Sequence, residues 1–287
     1  MNENWIDVSG VRTRYLIAGD GEPVVLIHGG EIGAPEASEA VWVPCVNALA
    51  RQFQVLAFDR LGMGGTAPPK YDEDYTLAAS AAHAQQLIAA LFEARAVHLV
   101  AHGSGARIAF EICLGGAIRV HSCTILNSAT VTPGVMEVVP RPRSTDAREP
   151  RAQICENFRA LMAPQSRIPD AAIEAALTLR AVDSLAEARR KMRDEDLRTR
   201  IYLKELGAGR GALFRRIKEQ GVGVPVLLLN GADDPLVSAE CAALLLQALA
   251  EKRHDIELHL LAGCGHYPQL EAPETVSDLL AAFLGAI

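Results

Sequence analysis

Short apolar runs rich in β-branched residues alternate along this chain with longer stretches of helical periodicity. Six runs have the length of a buried strand: EPVVLIHGG, FQVLAFDRLGMGG, AVHLVAH, VHSCTILNSAT, VPVLLLNGADD and DIELHLLAGCGH. Between two of them, TLAASAAHAQQLIAALFEA is typical of a helix, with Thr76 as its N-cap. Because strands that alternate with helices form βα units, the sequence predicts an α/β fold with a mainly parallel sheet flanked by helices.

The pattern changes in the middle of the chain. Residues 133–221 contain prolines, dense charge and helical periodicity but no clear strand, and strand character returns after them. They hold 18 Lys and Arg against 13 Asp and Glu. Most of these charges fit a solvated helical surface, and the alternative is that some basic side chains face an anionic substrate. We predict a core in two parts, 1–132 and 222–287, interrupted by a helical cap at 133–221.

Composition excludes several classes of function. The chain has 287 residues, of which 49% are hydrophobic and 22% charged, as in soluble globular proteins. Its net charge of −7 argues against nucleic acid, which would need clustered Lys and Arg. No apolar run reaches the roughly 18–20 residues that cross a bilayer, and no signal peptide is recognisable. We expect a cytoplasmic protein with a small-molecule substrate, no membrane contact, no metal and no cofactor; a homodimer is a candidate assembly.

The stretch VHLVAHGSGARIAF has the form of a nucleophile elbow, a strained turn from a strand into a helix. Such an elbow needs small residues two positions before and two positions after the nucleophile. Centred on Gly103, these positions hold Ala101 and Gly105, whereas centred on Ser104 one of them would hold His102. The spacing therefore assigns the nucleophile position to Gly103, which has no side chain to attack with, and His102 is expected beside the elbow.

Two later segments supply an acid and a histidine in the order that hydrolases of this architecture use. LLLNGADDPLV is a strand followed by a turn, in which Asp234 is the predicted orienting acid and Asp233 lies one residue out of register. In LAGCGHYPQLEAPE, His266 follows a strand and precedes the last helix, where the base would lie. We predict that Asp234 and His266 form a hydrogen-bonded dyad. Turn-forming aspartates and a structural histidine are the alternative.

A strand that ends in His-Gly-Gly, LIHGG, lets backbone N–H groups approach a ligand closely, as an oxyanion hole requires. The predicted donors are the N–H groups of Gly30 and of Ser104, at the start of the elbow helix, and Gly29 is predicted to line the substrate site. The segment does not fit a phosphate-binding loop, because it lacks both G-x-G-x-x-G and a following Lys-Ser/Thr.

Together these motifs resemble the α/β-hydrolase family from about Val8 to the C-terminus. The chain looks most similar to the meta-cleavage-product hydrolases, which cut carbon–carbon bonds in vinylogous diketone acids. VVLIHGGEIGAP parallels their HG-x-G-P-G-A loop, and GCGHYPQLEAPE their C-G-H-W-x-Q-x-E segment, with Tyr267 in place of Trp. IPDAAIEAALTLR is similar to their I-T-x-E-x-x-x-x-R segment. The resemblance implies an α/β-hydrolase fold with an inserted helical cap, a carboxylate-bearing substrate and substrate contacts by Tyr267 and Arg180; a surface arginine is the alternative for Arg180.

The chain departs from the pattern of this family at two places. The nucleophilic Ser, or Asp in some relatives, is here Gly103. The oxyanion loop HGGEIGAPEASEA carries three glutamates where relatives are mostly small and neutral. Of these three, Glu31 follows the glycines directly, so it is the one expected to face the pocket.

Several interpretations of Gly103 remain open on the sequence. In the first, His266 activates a water molecule for direct attack; in the second, the dyad drives non-hydrolytic proton transfer of lyase, isomerase, cyclase or cofactor-free oxygenase type. The protein could also bind a ligand without turnover, or the glycine could be a deliberate inactivation. Ser104 as a displaced nucleophile is disfavoured, because its side chain points about 100° around the helix from the apex. The leading hypothesis is an α/β-hydrolase-type enzyme that hydrolyses a C–C bond or ester in a small carbonyl compound.

Overall fold

The computed structural model describes residues 3–132 and 149–287. In these residues eight strands form one sheet. The strands are β1 (Asn4–Val8), β2 (Val11–Ala18), β3 (Glu22–Ile27), β4 (Phe53–Phe58), β5 (Val97–His102), β6 (Val120–Leu126), β7 (Val226–Gly231) and β8 (Ile256–Leu261). Their order across the sheet is β1-β2-β4-β3-β5-β6-β7-β8, and every pair from β4 to β8 is parallel. The predicted α/β fold with a mainly parallel sheet is confirmed.

Helices precede and follow the parallel strands. They are α1 (Val43–Leu49), α2 (Leu77–Phe92), α3 (Gly105–Gly115), α4 (Pro150–Arg159), α5 (Asp170–Arg180), α6 (Asp183–Arg193), α7 (Leu203–Gln220), α8 (Ala239–Ala250), α9 (Pro268–Glu271) and α10 (Pro273–Leu284). The Thr76 side chain accepts a hydrogen bond of 3.1 Å from the N–H of Ala79, which confirms the predicted N-cap of α2.

Both faces of the sheet are covered by helices, and adjacent residues of one strand face opposite cores. Val25 and Ile27 of β3 pack with residues of α2, α3 and α8, whereas Val24 and Leu26 pack with residues of α1 and α10. A strand buried on both faces must be apolar at every position, which explains the continuous run PVVLI.

An antiparallel hairpin of β1 and β2, which was not predicted from the sequence, extends the sheet at one edge. Its two-residue turn places Ser9 at φ 52° and Gly10 at φ 85°. Two consecutive positive φ angles define a type I′ turn, whose twist matches that of paired strands. In the sequence, the pair Ser9-Gly10 was the signal that could have indicated this turn.

Helices α4 to α7 lie between β6 and β7, and no strand occurs in the described residues 149–221. This arrangement agrees with an inserted helical cap. The predicted start of the cap, at residue 133, lies outside the described residues, so the domain boundaries stay a prediction.

No helix in the described residues combines the length and the apolar character that crossing a membrane requires. Nowhere in 3–132 and 149–287 do three or more His, Cys, Asp or Glu side chains meet in a way that could hold a metal ion. The expected absence of metal and cofactor stays a prediction.

Candidate active site

The predicted site residues come from four loops, each of which follows a strand of the parallel sheet. Gly30 follows β3, Gly103 follows β5, Asp234 follows β7 and His266 follows β8. The carboxyl ends of parallel strands lie along one edge of a sheet, where open α/β folds bind their ligands. The candidate site therefore occupies the expected edge.

Gly103 has the backbone conformation of a nucleophile elbow. Its φ is +54°, and its N–H donates to the carbonyl of Leu126 at 2.9 Å. The flanking position requires glycine, because a Cβ on Gly105 would lie 2.7 Å from the carbonyl oxygen of Ile27. The chain thus makes the strained turn that normally presents a nucleophile, and presents a hydrogen atom there instead.

Asp234 and His266 form a hydrogen bond of 2.9 Å between Oδ2 and Nδ1. Asp234 is buried, with 9% of its surface exposed, whereas Asp233 is exposed. Burial alone would raise the pKa of Asp234, but His266 and the hydrogen bonds to the carboxylate lower that pKa below its usual value. The carboxylate is therefore ionised at neutral pH and accepts a hydrogen bond from Nδ1–H of His266. The other ring nitrogen, Nε2, is then the one available to act as a base.

Asn127, the residue after β6, holds this carboxylate, and no sequence motif indicated it. Its Nδ2 donates to Oδ2 of Asp234 at 2.5 Å and to the carbonyl of Gly265 at 3.1 Å, while its Oδ1 accepts from the N–H of Gly231 at 3.1 Å. Asn127 is also at φ 44°, a region that asparagine tolerates better than most residues. It connects the acid turn to the histidine loop.

The exchange Asn127→Asp should lower turnover that depends on His266 about tenfold at neutral pH. The new carboxylate would lie beside the Asp234 carboxylate, and two carboxylates in contact cannot both ionise readily, so the pKa of Asp234 would rise. Steady-state kinetics of the native protein and this variant measures the effect. Asn127→Gly, which keeps the positive φ and adds no charge, is the control, and equal kcat values for the native protein and Asn127→Asp would contradict the proposed role.

Nε2 of His266 faces the elbow. A Cβ built on Gly103 would lie 3.6 Å from Nε2 and 3.4 Å from Cα of Gly29, both ordinary contact distances. A hydroxyl on such a carbon would be within hydrogen-bonding reach of Nε2. The structure thus brings together Gly103, His266 and Asp234 in the arrangement of a nucleophile, base and acid.

The hydroxyl group of Ser104 is held by two hydrogen bonds that do not involve the dyad. Its Oγ donates to the carbonyl of Gly30 at 2.6 Å and accepts from Nη1 of Arg60 at 2.8 Å. Its backbone lies at the start of α3, where N–H groups are free of helical partners and attract anions. This geometry favours the predicted role of the Ser104 N–H as an oxyanion donor over a role of its hydroxyl as a nucleophile.

The His-Gly-Gly loop approaches the elbow so closely that side chains are excluded. A Cβ on Gly29 would lie 2.8 Å from Nδ1 of His102, and Gly30 is at φ +90°. Nδ1 of His28 forms a 2.8 Å hydrogen bond to the carbonyl of Gly29, and Nε2 of His28 accepts from the N–H of Arg60. These contacts set the loop conformation, and none of them uses the N–H groups of the two glycines.

His102 and Tyr267 pack around the catalytic histidine candidate. Nε2 of His102 donates to the carbonyl of His266 at 2.7 Å, and the ring centroids of His102 and His266 are 4.8 Å apart. Burial lowers the pKa of His102 to about 3, so His102 is neutral. The Tyr267 ring lies 5.1 Å from the His102 ring and 5.6 Å from that of Phe158 in α4. Both residues are placed to support the site.

The predicted cap and loop residues have partners of their own. Glu31 forms an ion pair with Arg198, which precedes α7, so its carboxylate joins the oxyanion loop to the helical insertion. Arg180, the last residue of α5, donates from Nη1 to Oε1 of Gln153 at 2.8 Å. The structure does not bring Arg180 into contact with the dyad, and its role toward substrate stays a prediction.

Comparison with known proteins identifies the family. A model of the alpha/beta hydrolase family matches residues 24–279. The 2-hydroxy-6-oxo-6-(2'-aminophenyl)hexa-2,4-dienoic acid hydrolase of Metapseudomonas resinovorans is 31% identical over 98% of this chain and 90% of its own length. A protein of Escherichia coli O81 (strain ED1a), provisionally named a carbamate hydrolase, is 28% identical over 92% of each chain.

A solved structure agrees with these relatives. The crystal structure of a serine hydrolase involved in carbazole degradation matches with a TM-score of 0.75 and 25% identity, covering 100% of this chain and 99% of that one. The predicted resemblance to meta-cleavage-product hydrolases is confirmed, because relatives of this kind are named as hydrolases of hexadienoic and heptadienoic acids. The chain belongs to the α/β-hydrolase family.

Proposed function

We propose that this chain hydrolyses a small carbonyl compound through direct attack by a water molecule that His266 and Asp234 activate. The observation that carries the proposal is the 3.6 Å between Nε2 of His266 and the position of a Cβ on Gly103. A base at this distance from the nucleophile position can deprotonate a group that takes the place of the serine hydroxyl. Water is the smallest such group, and a positioned general base accelerates its attack about 10²–10⁴-fold.

The dyad and the loop glycines have complementary roles in this reaction. The water oxygen attacks the carbonyl carbon while one water proton passes to Nε2 of His266, and Asp234 stabilises the resulting imidazolium. The N–H groups of Gly30 and Ser104 stabilise the charge on the carbonyl oxygen. The bond from the carbonyl carbon to the leaving carbon or oxygen then breaks, and its electron pair stays with the leaving atom. The proton on Nε2 of His266 is transferred to that leaving atom. The products are a carboxylic acid and the protonated leaving group.

Positive charge near the oxyanion loop supports an anionic substrate. Nε of Arg189 in α6 donates to the carbonyl of Gly33 at 3.2 Å, three residues beyond Gly30. Burial lowers the pKa of Arg189, and so does repulsion by Arg180 and Arg193, whereas Glu36 raises it. A substrate carboxylate would relieve this repulsion. The acids named for the relatives above carry such a group, so we propose a carboxylate-bearing vinylogous diketone as the substrate class.

The test uses the native protein with a meta-cleavage dienoate in ¹⁸O-water, with His266→Ala as its comparison. We expect one ¹⁸O atom in the acid product, no burst phase and a fall of about 10²–10⁴ in kcat for His266→Ala. Mass spectrometry of the products and stopped-flow kinetics provide the measurements. The methyl ester of the dienoate should show a higher KM than the free acid if a carboxylate is recognised.

Three outcomes would contradict parts of this proposal. Turnover that survives in His266→Ala would exclude His266 as the base. A product without ¹⁸O would indicate proton-transfer chemistry in place of hydrolysis. Hydrolysis of p-nitrophenyl or carbamate esters without any dienoate turnover would keep the mechanism but replace the substrate class.

A further inference from the structure

Arg60, the second residue after β4, is a buried cation whose surroundings do not neutralise it. It is 1% exposed, and among residues 3–132 and 149–287 no carboxylate forms an ion pair with it. Its Nε and Nη2 donors have no hydrogen-bond partner in that part of the chain. The adjacent Asp59 is instead 3.0 Å from Arg14 and accepts from the N–H groups of Glu39 and Gly65.

An unpaired buried charge destabilises the folded state, so a fold retains one where something else requires it. Burial lowers the pKa of Arg60 to about 10, which still leaves it cationic at neutral pH. Buried donors without partners are rare in native proteins and occur at functional sites more than elsewhere. The unpaired charge at Arg60 therefore indicates a role beyond joining two loops.

The contacts of Arg60 lead to the oxyanion loop. Nη1 donates to Oγ of Ser104 at 2.8 Å, and this hydroxyl donates to the carbonyl of Gly30 at 2.6 Å. Nη1 also donates to the carbonyl of His28 at 3.1 Å. One guanidinium nitrogen thus fixes both Ser104, the residue before α3, and the loop that follows β3.

His28 supplies a second connection. The backbone N–H of Arg60 donates to Nε2 of His28, so the proton of that imidazole is on Nδ1, which donates to the carbonyl of Gly29. Because the peptide group is planar, fixing the carbonyl of Gly29 fixes the N–H of Gly30 on its opposite side. That N–H is one of the two proposed oxyanion donors.

We infer that Arg60 is a positioning residue of the oxyanion hole: through Ser104 and His28 it orients the N–H donors, and its unpaired charge stabilises the anion that forms beside them. The inference rests on the proposed function, because it assumes that negative charge develops at this loop. Electrostatic stabilisation of this kind acts on the transition state, so its loss lowers kcat and leaves KM nearly unchanged.

The test measures binding of a trifluoromethyl ketone, whose gem-diol in water mimics the tetrahedral intermediate of direct water attack. Isothermal titration calorimetry would compare the native protein with Arg60→Gln, Arg60→Lys and Ser104→Ala. We expect affinity to fall about hundredfold in Arg60→Gln, at the lower end of the loss for a deleted direct donor, and about tenfold in Ser104→Ala. Arg60→Lys, which keeps the charge, should retain most of the affinity.

Arg107→Gln is the matched control. Arg107 is also buried, with 3% of its surface exposed, but it has a carboxylate partner in Glu205 of α7. Its exchange should lower the melting temperature without weakening gem-diol binding. Equal losses of affinity in Arg107→Gln and Arg60→Gln would overturn the inference, and so would a melting temperature that falls in Arg60→Gln while affinity is kept.

A second readout separates this inference from the proposed function. In a Gly103→Ser background, the rate of fluorophosphonate labelling also depends on the oxyanion hole. If the native protein binds no gem-diol but labelling slows in Arg60→Gln, Arg60 has the inferred role and the direct attack of water is wrong. If Arg60→Gln changes neither binding nor labelling, the inference is wrong whatever the reaction.

Discussion

The exchange Gly103→Ser is expected to raise hydrolysis of p-nitrophenyl esters by about three orders of magnitude or more. A serine hydroxyl would lie within hydrogen-bonding reach of Nε2 of His266, whose Nδ1 already forms a hydrogen bond with Asp234. Loss of the nucleophile from a complete triad costs on the order of 10⁶ in kcat, so restoring one to a site with base, acid and oxyanion donors should recover a large part of that factor.

The serine variant should also be less stable than the native protein. Residue 103 is at φ +54°, where a residue with a side chain lowers the free energy of unfolding by roughly 1–2 kcal/mol relative to glycine. The conformation itself is held by hydrogen bonds at both ends, from the N–H of Gly103 to Leu126 and from the N–H of Ala106 to the carbonyl of Gly103. The elbow should therefore persist in the variant at the cost of a lower melting temperature.

Ester kinetics and labelling by a fluorophosphonate probe measure this change. Gly103→Ala is the matched control, because it has the same backbone strain without a hydroxyl and should gain no activity. The double variant Gly103→Ser/His266→Ala should lose the gain. If serine adds nothing while the native protein has an activity that requires His266, the glycine belongs to the mechanism and the reaction is a proton transfer.

The elements that the sequence predicted well are those set by local pattern and chain order. Alternating strands and helices predicted the parallel sheet, and the spacing of Ala101 and Gly105 located the elbow at Gly103 rather than at Ser104. The order of elbow, acid and histidine was enough to pair Asp234 with His266, because the carboxyl ends of parallel strands lie along one edge.

The residues that the sequence did not reveal act through partners distant in the chain. Asn127 contacts Asp234 across 107 positions, and Arg60 contacts Ser104 across 44. No periodicity reports such contacts, since an asparagine after a strand also fits an ordinary turn. Glu31 is similar: its place after two glycines predicts that it faces the pocket, and the local sequence gives no sign of its ion pair with Arg198, 167 positions away.

Acid should destabilise this protein steeply between pH 7 and pH 5, because several of its histidines are buried in the neutral form. Burial lowers the pKa of His83 to about 4 and that of His102 to about 3, and burial together with the charge of Arg60 lowers that of His28 well below 6.5. In the unfolded chain these groups bind protons near pH 6.5, where the folded protein does not. Their contribution to stability is present above pH 6.5 and is lost as the pH falls toward the folded pKa values.

The shifts of His83 and His102 should each cost about 2 kcal/mol between pH 7 and pH 5, or about 4 kcal/mol together, and His28 acts in the same direction. Glu39 acts in the opposite direction, because burial and the neighbouring Asp59 raise its pKa and folding then favours its protonated form. One carboxyl group offsets about one histidine, so a net loss of about 2 kcal/mol or more should remain.

Urea unfolding at several pH values gives this loss as the slope of the unfolding free energy against pH. His83→Leu provides the sharpest comparison, because His83 bonds to Thr13 far from the dyad and its exchange should lower the slope by one proton. A slope near zero would mean that these histidines titrate alike in both states, and the neutral tautomers assigned to His28 and His102 would then be wrong. Since these tautomers direct the hydrogen bonds to Gly29 and to the carbonyl of His266, the stability curve is also a test of the oxyanion loop.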